Sequence, residues 1–67
     1  MEMHLSERDK KIVSLLCRGR GIKEIAAIEG VHPNTISTML ARMRARNQCG
    51  SNCQLVAKFV LAGGWKG

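Results

Sequence analysis

Apolar residues recur along this chain at the three-and-four spacing of helices, in blocks separated by glycine or polar turns. Ile12, Val13, Leu15 and Leu16 form the first apolar face, with Lys10, Lys11, Ser14 and Arg18 on the other side. Ser6 suits the N-cap, and Asp9 three residues later completes a weak capping box, so a helix is predicted to start there and to stop at Gly19. After the Arg20 and Gly21 turn, a short helix is predicted from about Ile22 to Glu29, carrying Ile25, Ala26 and Ile28, with Lys23 and Glu24 in its first turn. A third helix runs from Pro33 to about Arg46; it buries Ile36, Leu40 and Met43, and leaves Met39 at the margin. Asn47 to Asn52 reads as a loop, Ser51 as the cap of a fourth helix from about Asn52 to Ala62, and Gly63 and Gly64 as its stop.

The stretch from Ile22 to Ala41 organises the rest, because it reads as helix, tight turn, helix. Ala26 is small where two helices must cross closely, and Gly30 can take the positive φ that a sharp turn between helices needs. Pro33 suits a first helical position, since its fixed φ is already helical and its missing N–H would have had no partner there; His32 then falls at the cap. This is the pattern of a helix-turn-helix. The plainer reading is an αα-hairpin in a small helical bundle.

The outward positions of the third helix are Asn34, Ser37, Thr38, Ala41 and Arg42. Asn34, Ser37 and Thr38 are short hydrogen-bonding side chains, and Ala41 lets the helix sink deep, so such a surface can approach base edges. Arg42, Arg44 and Arg46 lie one to two turns further on, where long arms reach phosphates flanking a groove. Arginines at a helix C-terminus also suit the helix dipole.

Between Cys53 and Ala62 only Gln54 and Lys58 are polar, which leaves most of the fourth helix apolar. Three other helices cannot cover all of it, so Val56, Phe59, Val60 and Leu61 are expected at the interface of a homodimer. The alternative is that Leu55, Val56, Phe59 and Val60 are simply core and the rest is tolerated exposure. Trp65 is expected to fold back over this helix.

Composition narrows the class further. At 67 residues, with one Phe, one Trp and no Tyr, the chain is expected to form one all-α domain with an aliphatic core, spanning residues 1–67 with its body at 5–65. The net charge is +6, yet all five acids precede Gly30, and five bases follow it unopposed. That regional excess points to a polyanion partner, with a solvated basic face as the plain alternative. Three cysteines, Cys17, Cys49 and Cys53, cannot all pair internally; with no secretory leader and no apolar run of membrane-spanning length, a soluble protein of the reducing cytoplasm is expected.

From Leu5 to Trp65 the chain resembles the DNA-binding domain of LuxR-type bacterial regulators, the group that includes the small spore regulator GerE. The matching pieces are LSERD and LLCRG in the first helix, KEIA in the second, GV before the third, TISTML within it, and QLVAKFVLAGGW in the fourth. The resemblance implies a four-helix domain with its third helix in the major groove of double-stranded DNA, a fourth helix that forms the dimer, and transcriptional control. Carried over by position, base-facing sites fall on Asn34, Ser37, Thr38 and Ala41, and backbone-facing sites include Lys23, Thr35 and Arg42, to which Arg44 and Arg46 are added by their reach. Ser37 stands where the family usually has Lys, Met39 where it often has His, and Asn47 and Gln48 replace the usual Leu-Gly closing the third helix. These departures bear on base preference and strength of DNA contact more than on the fold. Most members also carry an N-terminal receiver or ligand-sensing domain; the chain reads either as a standalone regulator or as an excised fragment, and Met1 close before the match weighs slightly towards the first.

Other readings compete. Cys49 and Cys53, with Cys17 and His4 or His32, lack the spacing of a structural zinc site and read as core fillers, so no metal and no cofactor are expected. No nucleophile, base and orienting acid recur in an enzyme-like arrangement. A fold like the fourth region of bacterial sigma factors shares LSERD and KEIA but leaves the apolar fourth helix unexplained. The competitor from another class is an interaction module that pairs through its fourth helix with a larger LuxR-type regulator and inhibits or redirects it.

Overall fold

The computed structural model describes residues 3–64, which form four helices: α1 (Glu7–Cys17), α2 (Ile22–Glu29), α3 (Pro33–Arg46) and α4 (Asn52–Leu61). Trp65 lies outside the described residues. The helix starts follow local chemistry. The Ser6 hydroxyl accepts the Asp9 N–H at 3.1 Å while the Asp9 carboxylate accepts the Ser6 N–H at 3.1 Å, a complete capping box at the head of α1. Gly21 opens α2 without a side chain to offer, and the Glu24 carboxylate reaches back to its N–H at 3.3 Å. That backbone bond, helped by the Arg20 guanidinium, holds the exposed Glu24 carboxyl below its usual range. Ser51 caps α4 by accepting the Gln54 N–H.

The ends share one solution. At α1 the Arg20 N–H bonds the Leu15 carbonyl, at α3 the Cys49 N–H bonds the Arg44 carbonyl, and at α4 the Gly64 N–H bonds the Phe59 carbonyl. Each closure turns the chain through a left-handed residue just past the helix. Glycine fills that position after α1 and α4, whereas after α3 it is Gln48, at φ +55°. Gly64 then lies so close to the Phe59 ring that a Cβ there would meet it at 2.5 Å.

Helix α2 packs on α3, α1 on α4, and the two pairs close over one core of Ile12, Val13, Ile25, Ala26, Ile36, Leu40, Met43, Cys49, Leu55 and Phe59. Leu15 and Leu16 are half-buried around it. Ile28, carried on α2 with Ile25 and Ala26, is 52% exposed, because a helix of 3.6 residues per turn puts Glu29 rather than Ile28 on the inward face. One expectation fails at this level. Cys53 is exposed rather than a core filler, whereas Cys49 is buried.

The inward carboxylate of Glu29 is compensated from α1. Its side chain is 6% exposed, with the Arg8 guanidinium 3.5 Å from one oxygen and the Lys11 ammonium 3.1 Å from the other. A second polar link sits at the far end of α3, where Asn47 is buried and hydrogen-bonds the backbone of His4. Met3 and Leu5 pack on either side of that contact against the core.

Candidate nucleic-acid interface

Helix α3 is presented by the turn before it. Gly30 at φ +70° lets α2 end while the Val31 N–H bonds back to the Ala26 carbonyl, and the chain re-enters helix two residues later. His32 takes extended backbone angles and accepts the Asn34 N–H on Nδ1 at 3.0 Å, so the imidazole caps α3 ahead of Pro33. Ile36, Leu40 and Met43 anchor one face of α3 in the core.

The opposite face is open. Asn34, Thr35, Ser37, Thr38, Ala41 and Arg42 are all exposed, as is Arg46. Thr38 Oγ1 donates to the Asn34 carbonyl at 3.0 Å. That leaves its lone pairs and its methyl group to face outward, suited to a base amino group or a thymine methyl. Asn34, Thr35, Thr38, Met39 and Arg42 line a shallow concavity, and a second, lined by Ser6, Asp9, Met39, Arg42, Met43 and Arg46, continues it to the head of α1. Arg42 stands at the junction of the two. Lys23, in the first turn of α2, is exposed as well.

Arg44 does not share that flank. It is half-buried, and its guanidinium donates to the side-chain oxygen of Asn52 at the start of α4. Helical geometry explains the split: residues 42 and 46 are four apart and share a face, while 44 lies about 200° round from each. Lys58 likewise turns inward, donating to the Asn47 carbonyl at 2.7 Å.

On α4 the expected interface residues separate in the same way. Val60 is 43% and Leu61 75% exposed, and Val56 is half-buried. Phe59 is 3% exposed and belongs to the core, on the same side of the helix as Leu55. The structure places three residues differently from their sequence neighbours: Cys53 is exposed seven positions before Val60, and Arg44 and Lys58 turn inward. A helical projection carries that signal; proximity in sequence hides it.

Burial pushes the Cys17 thiol upward from its ordinary value. Among the described residues, no three histidine, cysteine or acidic side chains come together as metal ligands, and no helix is long and apolar enough to cross a membrane.

The model of the bacterial regulatory proteins of the luxR family matches residues 3–59, and the chain belongs to that family. It is also similar to the protein in the crystal structure of the phage VqmA–DPO complex, with 29% identity and a TM-score of 0.84. That match covers 97% of this chain and 30% of the other, so this chain spans less than a third of the length of that protein. No curated protein matches the chain. Family membership indicates a DNA-binding domain of transcription regulation.

Proposed function

We propose that the chain binds double-stranded DNA sequence-specifically as a homodimer and regulates transcription in the bacterial cytoplasm, at the nucleoid. In this reading α3 enters the major groove, Asn34, Ser37, Thr38 and Ala41 meet base edges, and Lys23, Thr35, Arg42 and Arg46 hold the phosphate backbone. Arg44 is left out of that set because its guanidinium is engaged by Asn52. Val60 and Leu61, with the exposed part of Val56, meet the same residues of a second copy about a two-fold axis. The role is binding rather than catalysis.

The observation that carries the reading is the division of α3. Its inward residues build the core, while its outward ones are small and polar at the N-terminal half and flanked by Arg42 and Arg46, which are exposed. A solvated helix has no need of that order; a helix laid in a groove does. The test is selection of sites from a randomised duplex pool by the purified chain. An enriched inverted repeat supports the dimeric reader. Salt-sensitive binding without a motif makes it a general backbone binder.

A second reading rests on the exposure of Val60 and Leu61. An α4 so apolar on its outer side also suits pairing with a larger LuxR-type regulator, which the chain would inhibit or redirect. Folded protein that retains no duplex at modest salt puts this reading first.

A further inference from the structure

Two of the bases that follow Gly30 are spent inside the molecule, and both at one joint. Arg44, in the last turns of α3, donates to Asn52, the first residue of α4. Lys58, further along α4, donates to the carbonyl of Asn47, the residue that ends α3, at 2.7 Å. The two ties grip α4 at points six residues apart, roughly 9 Å along its axis. The loop between is strapped down as well: the Cys49 N–H bonds the Arg44 carbonyl at 2.8 Å, and the Cys49 side chain is buried.

The core that α3 and α4 share, with Met43 on one and Leu55 and Phe59 on the other, favours a class of crossing angle but leaves a scatter of about 15–20°. Hydrogen bonds are directional. One such bond would leave α4 free to swivel about it; two, well separated, do not.

We infer that the Arg44–Asn52 and Lys58–Asn47 ties set the distance between the two DNA half-sites that the dimer accepts. The inference rests on the reading above, in which α3 is the reading helix and α4 the dimer helix. The outer face of α4, with Val60 and Leu61, and the outer face of α3, with Asn34, Ser37, Thr38 and Ala41, are held by this joint as one body. In a two-fold pair joined through α4, the angle at the joint fixes how far apart the two copies of α3 lie. A rotation of about 10° acting over about half of the molecule's 31 Å long axis displaces α3 by roughly 3 Å, close to the roughly 3.4 Å of one base-pair step. Arg44, Asn52 and Lys58 are therefore positioning residues: they choose a spacing without touching DNA.

The experiment is selection from a duplex pool that holds two inverted half-sites at every spacing over a turn of DNA, using the full chain, with isolated half-site affinity measured alongside. The wild-type chain is expected to enrich one spacing. Asn52→Ala and Lys58→Met, each removing one tie while keeping a helix-compatible side chain, are expected to enrich several spacings to within about threefold of one another, with half-site affinity changed less than about twofold. Asn52→Asp, which keeps an acceptor for Arg44, restores the single spacing. Variants that are folded by circular dichroism and keep the wild-type spacing overturn the inference, as does a fall in half-site affinity that parallels the change in spacing. A wild-type chain that enriches only single half-sites removes the dimeric reading itself, and with it the inference. The wild-type arm thus separates the two failures.

Discussion

Asn47 and His4 lie 43 positions apart, and the side chain of one serves as the backbone partner of the other: Asn47 Oδ1 accepts the His4 N–H at 2.7 Å, and its amide nitrogen donates to the His4 carbonyl at 3.4 Å. The same nitrogen donates to the Met43 carbonyl at 2.8 Å. Asn47→Ala removes all of these bonds and leaves the His4 N–H to find water. The expected cost is about 1–3 kcal/mol, read as a lower midpoint in urea unfolding. An unchanged midpoint would mean that the segment before α1 is held by Met3 and Leu5 alone.

Gln48 carries the left-handed turn that closes α3, at φ +55°. A side chain at that angle is strained where glycine is not. Gln48→Gly is therefore expected to raise stability by about 0.5–1 kcal/mol, even though glycine gains more freedom in the unfolded chain. A loss of stability in thermal unfolding would show that the Gln48 side chain makes up for its backbone.

Arg42 is exposed at the junction of the two concavities along α3. If it neutralises a phosphate, Arg42→Ala weakens binding about equally on all duplexes and lowers the slope of log affinity against log salt by roughly one. Titrations at several salt concentrations check this. A loss confined to one base pair would instead make Arg42 a reader of sequence.

Leu61 is 75% exposed and Val60 43%, so a charge at either position leaves the core undisturbed and tests the proposed dimer contact alone. Val60→Glu or Leu61→Glu is expected to shift the chain towards monomer in sedimentation equilibrium, with its helical circular dichroism unchanged. Sedimentation identical to the wild type would count against self-association through α4.

Where the chain's own neighbours decide structure, the sequence was a good guide. Ser6, Pro33 and Ser51 start helices by short-range chemistry, Gly19, Gly30 and Gly63 end them, and the bounds read for α2 and α3 are those observed. Legibility fell where helices meet. Arg42, Arg44 and Arg46 look like one basic run, yet rotation around α3 sends the middle one to α4. Phe59 and Val60 are adjacent in sequence but on different faces, one core and one surface. Glu29 gave no sign of burial, because what makes that burial tolerable is a pair of cations from another helix.

That last arrangement says something about how far the reading unit can be taken apart. Glu29 is the final residue of α2, at the end of a helix where negative charge is least welcome. Arg8 and Lys11 act as its counterions, built into the chain in place of dissolved salt. A peptide covering only residues 21–47 would leave this carboxylate facing the negative pole of α2 unaided, and the turn at Gly30 would inherit a fraying helix. α1 is thus part of the helix-turn-helix in the electrical sense, and grafting α2 and α3 onto another scaffold would require carrying those two charges with them.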